Sequence, residues 1–205
     1  MSWIKEIPYD AADRPLKKLY DRVKGPDNNV DNVLSVHSLR PHTLLGHMTL
    51  YKNVLHNANN TLPKWYLETL GVYVSQLNQC DYCVAHHYAG LQRLLKNDRL
   101  SAEIKTAIRK DNLAKLPPAQ FDQKHRLGLA YAKQLTFRPA SISEAIIEEL
   151  RTAGLDDGEI LEINQVVSYF NYVNRSVLGL GVNTKGDVLG LSPNDSSNPD
   201  DWSHG

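Results

Sequence analysis

The chain is short of three things, and each shortage removes a class of protein. It has only two cysteines in 205 residues, too few for the disulfide framework of a small secreted domain. In a reducing compartment such a pair is more often catalytic or metal-binding. It has no net charge, with 23 Lys plus Arg against 23 Asp plus Glu, and so no electrostatic footprint for nucleic acid or an anionic membrane surface. It has no apolar run approaching the roughly 18 residues of a membrane span. Residues 1–18 carry charges throughout and contain no apolar h-region, so no signal peptide is expected. What is present is ordinary. A content of 41% hydrophobic and 22% charged residues marks a globular chain with enough material for one sizeable core. The expectation is a soluble, cytoplasmic protein with no nucleic-acid or membrane partner.

Helix signals recur along the chain and no segment reads as a strand, so the expected fold class is all-α. A short helix is expected over Pro15–Val23, ended by the Gly25-Pro26 break. The apolar positions between Val33 and Asn57 suggest a helix divided at Pro41, because proline lacks a donor and disfavours helix before itself. Further helices are expected over Lys64–Asn78, Cys80–Lys96, Ser101–Lys110 and Pro118–Leu135. Ser141-x-x-Glu144 has the capping-box pattern and should open a helix over Ile142–Ala153. Asp156 or Asp157 should cap a long helix over Gly158–Leu180. This predicts one all-α domain over residues 1–180, followed by an extended or partly disordered tail over 181–205, rich in Gly, Asn, Asp, Ser and Pro. One echo, Glu68–Ser75 against Glu162–Ser168, leaves a duplicated helical unit open, on a single short match.

The chemistry is concentrated in Glu68–His87. Both cysteines lie here, as Cys80-x-x-Cys83, with His87 four residues later and Glu68 twelve residues before. At about 100° per residue, Cys80, Cys83 and His87 share one helical stripe and His86 points off it. No charged residue separates Glu68 from Asp81, which predicts a buried helix with a carboxylate set into it and a carboxyl pKa raised by desolvation. A thiol at the start of the second helix should feel the positive end of the dipole and ionise more easily. Three readings fit this spacing: thiol redox chemistry, a zinc site, or plain packing. Zinc would need a fourth ligand beyond Cys80, Cys83 and His87, from Glu68, His86 or His47. His37, His42, His47 and His56 read first as capping, packing or surface residues, with His47 placed nearest in interest to the site. Tyr66, Tyr73, Tyr82 and Tyr88 read most simply as core or subunit-interface residues.

The pattern Glu-x(11)-Cys-x-x-Cys-x(3)-His, on an all-α chain of this size, resembles the alkyl hydroperoxidase D family of the carboxymuconolactone decarboxylase superfamily. The phrases HSLRPHTLLGHMTLYKNVL, VSQLNQCDYCVAHH and FNYVNR resemble its peroxidase-related branch, and the resemblance spans roughly residues 30–180. It implies a compact helical bundle. It also implies that Cys83 is the peroxidatic thiol and Cys80 the resolving one, with His87 and Glu68 as the proton relay and no metal, haem or flavin cofactor. An external dithiol, lipoyl-bearing or thioredoxin-like, would return the electrons, and the subunits would assemble as a homo-oligomer, a trimer or hexamer. Better-studied members carry a histidine immediately before the second cysteine; this chain has Tyr82 there. The alternatives kept open are a zinc-binding helical module and a decarboxylase-like enzyme acting on a small lactone acid.

Overall fold

The computed structural model describes residues 1–204, and over that range the chain forms α-helices joined by short turns. Among the described residues the single β-contact is an isolated antiparallel bridge between Pro193 and His204. The fold is all-α, as the periodicity predicts. None of the described helices is long and apolar enough to cross a membrane.

Helix α1 (Arg14–Val23) starts where Asp13 accepts the Leu16 N–H, and it buries Leu16, Tyr20 and Val23 along one face. Pro41 divides the next segment as expected, leaving a single turn, α2 (Asn32–Ser35), and a full helix, α3 (Pro41–Leu55). The axis of the bundle is α4 (Lys64–Leu77), in which every residue from Tyr66 to Ser75 is buried. A helix enclosed all round gains most of its stability from packing rather than from its own propensity. Helix α5 (Asp81–Leu95) folds back along it through a tight turn. Gln79 takes a left-handed conformation there (φ 59°), and the Cys80 N–H donates back to the Ser75 carbonyl at 2.9 Å.

Three helix starts differ from the expectation. Helix α6 (Asp98–Arg109) begins before Ser101 because Asn97 accepts the Leu100 N–H; Ser101 lies inside it, buried. Helix α7 (Gln123–Phe137) begins after the Pro117-Pro118 turn, capped by Asp122 rather than opened at Pro118. The Ser141-x-x-Glu144 capping box does not form. Pro139 starts a separate 3₁₀ turn that ends at Ser141, whose hydroxyl donates back to the Arg138 carbonyl at 2.7 Å. Ser143 then precedes α8 (Glu144–Thr152) without a side-chain cap. Helix α9 (Asp157–Gly179) does carry a full capping box, between Asp156 and Glu159.

The two echoing segments lie on α4 and α9, which pack together. Gly71 is what lets them approach at the site: a Cβ there would lie 2.2 Å from Cζ of Phe170. Their glutamates do different work. Glu68 is 2% exposed in the core, whereas Glu162 accepts the backbone N–H groups of Thr61 and Leu62 at 2.7 and 2.9 Å and so anchors the approach to α4.

After α9 the described chain has no helix, yet it is bound to the bundle at several points. Arg93 donates to the Gly190 carbonyl at 2.7 Å and to the Ser192 hydroxyl at 2.9 Å. The fully buried Lys52 donates to the Asn194 carbonyl at 2.5 Å. Trp202, 1% exposed, fills a second apolar cluster with Leu16, Tyr20, Leu44 and Met48, and the Arg22 guanidinium lies 3.4 Å over its ring.

Candidate active site

The turn at Gln79 places Cys80 as the residue capping α5 and Cys83 in its first turn. Both are free thiols with sulfurs 2.7 Å apart. They differ in access. Cys83 lines a cavity of about 60 Å³, whereas Cys80 lies behind it with no exposed surface. They also differ in charge preference. Hydrogen bonding from Cys83 holds the Cys80 thiol below its ordinary pKa against the effect of burial. Burial, then the neighbouring Cys80, push Cys83 well above. The two sulfurs titrate as a unit, with the first proton leaving early and the second late. Charge therefore favours Cys80 as the first thiolate, and access favours Cys83 as the sulfur that a small molecule meets.

Asn174 on α9 acts to lower the pKa of both thiols, an influence that burial and Cys80 outweigh at Cys83. Asn174 is fully buried, donates to the Ser75 hydroxyl at 3.0 Å and accepts from the Asn78 amide at 3.0 Å. The sequence reading did not single it out. The signal available was a polar residue on a helix face otherwise made of Val166, Phe170, Val173 and Val177. Such a residue in a core needs partners, and its partners are Ser75 and Asn78.

His87 and Glu68 meet across the α4–α5 contact, with Nδ1 of His87 2.8 Å from Oε2 of Glu68. A carboxylate partner favours the tautomer with the proton on Nδ1, which leaves Nε2 as the acceptor nitrogen. Phe170 braces the imidazole edge-on at 4.6 Å between ring centres. Burial alone would raise the Glu68 carboxyl, as expected from the sequence. The charge and hydrogen bond of His87, with His56 and Lys64, outweigh it, and the net shift is downward. Glu68 is held as a carboxylate.

Glu68, Cys83 and His87 all line the cavity that Cys83 reaches. His86, expected to point away from the thiol stripe, does not bond Glu68 but lines the same cavity from another side, 3.2 Å from Oδ2 of Asp187. Tyr82 donates to the same Asp187 oxygen at 2.6 Å and accepts the Val33 N–H at 3.1 Å. The residue in the place of the family histidine thus ties the C-terminal segment to α2. Of the four tyrosines flagged in sequence, Tyr82 lines the cavity; Tyr66 and Tyr73 are buried in the core, and Tyr88 is half-buried beside Ser101. Tyr51 and Tyr169, stacked with ring centres 5.4 Å apart, also line it. His47 is on the wall too, whereas His37, His42 and His56 are not. Among the described residues no three His, Cys, Asp or Glu side chains converge as a metal-binding group.

No protein-family model matches this chain, and no curated protein matches it in sequence. Solved structures do match it in fold. An AhpD-core, peroxidase-related protein of Ralstonia eutropha superposes with a TM-score of 0.76 at 22% identity, covering 89% of this chain and 92% of that one. A peroxidase-related protein of Silicibacter sp. gives 0.73 at 25% identity, covering 90% and 93%. The debrominase Bmp8 gives 0.65 at 15% identity, covering 89% and 90%. All-helical architecture and these superpositions agree: the chain is an AhpD-like protein by fold.

Proposed function

We propose that this chain is a thiol-dependent peroxidase that reduces hydrogen peroxide or a small alkyl hydroperoxide. The observation that carries the proposal is that Cys83, His87 and Glu68 share one cavity wall while Cys80 sits directly behind Cys83. Nε2 of His87, directly or through a water, takes the Cys83 proton, and the Glu68 carboxylate steadies the imidazolium. The hydrogen bond between the sulfurs lets the single negative charge of the pair reside on either one, so a thiolate is available at the accessible position. That thiolate attacks the terminal, hydrogen-bearing peroxide oxygen. An S–O bond forms, the O–O bond breaks, and the departing alkoxide or hydroxide takes the proton from His87 to leave as alcohol or water. Cys80 then attacks the sulfenic sulfur, water leaves, and a Cys80–Cys83 disulfide results. An external dithiol, of the lipoyl-bearing or thioredoxin-like kind, returns two electrons by exchange and is itself oxidised to a disulfide. No metal, haem or flavin enters these steps. A trimer or hexamer is the assembly proposed with it.

The test uses pre-reduced Cys80→Ser protein, one equivalent of cumene hydroperoxide and a sulfenic-acid trap. A trapped adduct on Cys83, forming much faster than on an exposed thiol, supports the proposal; no adduct, with both wild-type thiols left reduced, overturns it. Zinc analysis of protein purified without chelator tests the metal alternative, since near-stoichiometric zinc held by both thiols would also sink the redox proposal.

A second reading comes from the fold likeness to Bmp8, one of whose cysteine variants was solved with 2,3,4-tribromopyrrole at a TM-score of 0.60 and 14% identity. The same dithiol could supply the two electrons of a reductive dehalogenation. Sulfur would take the bromine, the carbon would take a proton, and the disulfide and bromide would follow. Bromide release from tribromopyrrole without peroxide consumption would favour it.

A further inference from the structure

The cavity that reaches Cys83 has a charge character that the proposed chemistry leaves unused. Its wall carries two carboxylates, Asp31 and Glu68, and four histidines, but no lysine or arginine. The histidines offset the carboxylates only in part, His86 and His204 acting on Asp31. His87 is engaged with Glu68 at 2.8 Å, and His86 faces a third carboxylate, Asp187, whose side chain is 2% exposed. His204 is 3.0 Å from the Val23 carbonyl. His47 is 3% exposed, and burial together with the adjacent His37 lowers its pKa to about 3, so it is neutral. Its Nδ1 is buried with no hydrogen-bond partner.

Asp31 is set apart from the other two carboxylates. Glu68 has His87, and Asp187 accepts from the Asn32 N–H and the Tyr82 hydroxyl. Oδ1 of Asp31 is closed off from bulk solvent without any hydrogen bond. Burial raises its carboxyl to about 6; the charge of His86 acts against this, Asp187 adds to it, and His204 opposes it more weakly. Above neutral pH it is a carboxylate at the cavity wall with no direct partner on that oxygen.

We propose that this site takes an uncharged, compact, apolar hydroperoxide, and that Asp31 is the specificity-determining residue that turns anionic ones away. The hydroperoxide end of this proposal rests on the peroxidase reading; the charge selection does not. An anionic ligand would lose its hydration beside the closed-off Asp31 oxygen with no lysine or arginine on the wall to receive it. A neutral one loses little and meets Leu34, Met48, Tyr51, Tyr169 and Val173, with Nδ1 of His47 as one uncharged polar contact. By the same physics, a small lactone acid is a poor occupant.

The test reads the cavity at Cys83 without any peroxide. Iodoacetamide and iodoacetate have similar size and differ in charge, and their rates of alkylation at Cys83 are measured at pH 8 on reduced protein by mass mapping. Taking the ratio of the two rates cancels the thiolate fraction, and glutathione supplies the ratio for an open thiol. The expected iodoacetamide-to-iodoacetate ratio at Cys83 is about tenfold or more above that of glutathione, because like-charge approach at low dielectric is costly. Asp31→Asn and, independently, Asp31→Ala should bring it down toward the glutathione value. A wild-type ratio no larger than that of glutathione, or one that both variants leave intact, overturns the proposal. The two proposals fail separately. A high, Asp31-dependent ratio in a protein that leaves cumene hydroperoxide untouched removes only the peroxidase reading, and peroxide turnover with a flat ratio removes only the charge selection.

Discussion

Glu68→Gln isolates the charge of the site. The amide has nearly the shape of the carboxylate, and its oxygen can still accept the Nδ1 proton of His87, so what is lost is the negative charge beside the imidazole. Glu68 is 2% exposed and 2.8 Å from His87, so little solvent screening softens that loss. Hydrogen bonds to charged groups contribute about 1.5–3 kcal/mol. If that interaction is made mainly with the imidazolium, its loss slows thiol oxidation by about 10- to 150-fold. The assay is a rapid-quench time course of pre-reduced protein with cumene hydroperoxide at pH 7.5, read by intact mass. A pH series on stability supplies an independent readout. The folded-state pKa of Glu68 is lowered, so its stabilisation is fully present above the unfolded glutamate value of about 4.3 and is lost as pH falls through the lower folded value. The contribution of the Glu68 charge to the stability gap between wild type and variant should therefore be lost only as pH falls below about 4. An oxidation rate within twofold of wild type would refute the assignment of Glu68 to the relay.

Three further outcomes are expected. Gly71→Ala would drive a Cβ into the Phe170 ring, which it would approach to 2.2 Å; overpacking of about 1–3 kcal/mol should lower Tm by about 2–12 °C in calorimetry, and an unchanged Tm would mean that the ring yields freely. Asn174→Leu removes the amide that acts to lower both thiols and should move the pH midpoint of iodoacetamide reactivity upward; no movement would leave Asn174 a purely structural residue. Arg93→Met releases the grip on Gly190 and Ser192, two residues of the cavity wall, and should speed labelling of Cys83 by a bulky maleimide several-fold, a result that an equally slow variant would contradict.

Helix content and the division at Pro41 were legible in the sequence because they depend on neighbours within one or two turns. The cap at Asp156 was legible for the same reason. The expected helical stripe of Cys80, Cys83 and His87 is interrupted, because Cys80 caps α5 from outside it and only Cys83 and His87 reach the cavity. Where local rules competed, the sequence alone did not choose. Ser141 satisfies the capping-box pattern, yet Pro139 draws it into a 3₁₀ turn first. The sign of the Glu68 shift is another such case. Burial was visible in the uncharged run that follows it, but the charges that reverse the shift come from His87, His56 and Lys64, and their sum depends on distances. The cavity itself belongs wholly to the tertiary structure. Its wall is drawn from residues as far apart as Val23, Asp31, Tyr51, Cys83, Tyr169 and His204, and nothing in their spacing along the chain shows that they meet. Asn174 reaches Ser75, and Gly190 and Ser192 join the cavity wall, only because α9 packs against α4 and Arg93 holds the C-terminal segment down. The sequence by itself determined which groups are available for chemistry; the packing of distant segments decided which sulfur is reached and what charge surrounds it.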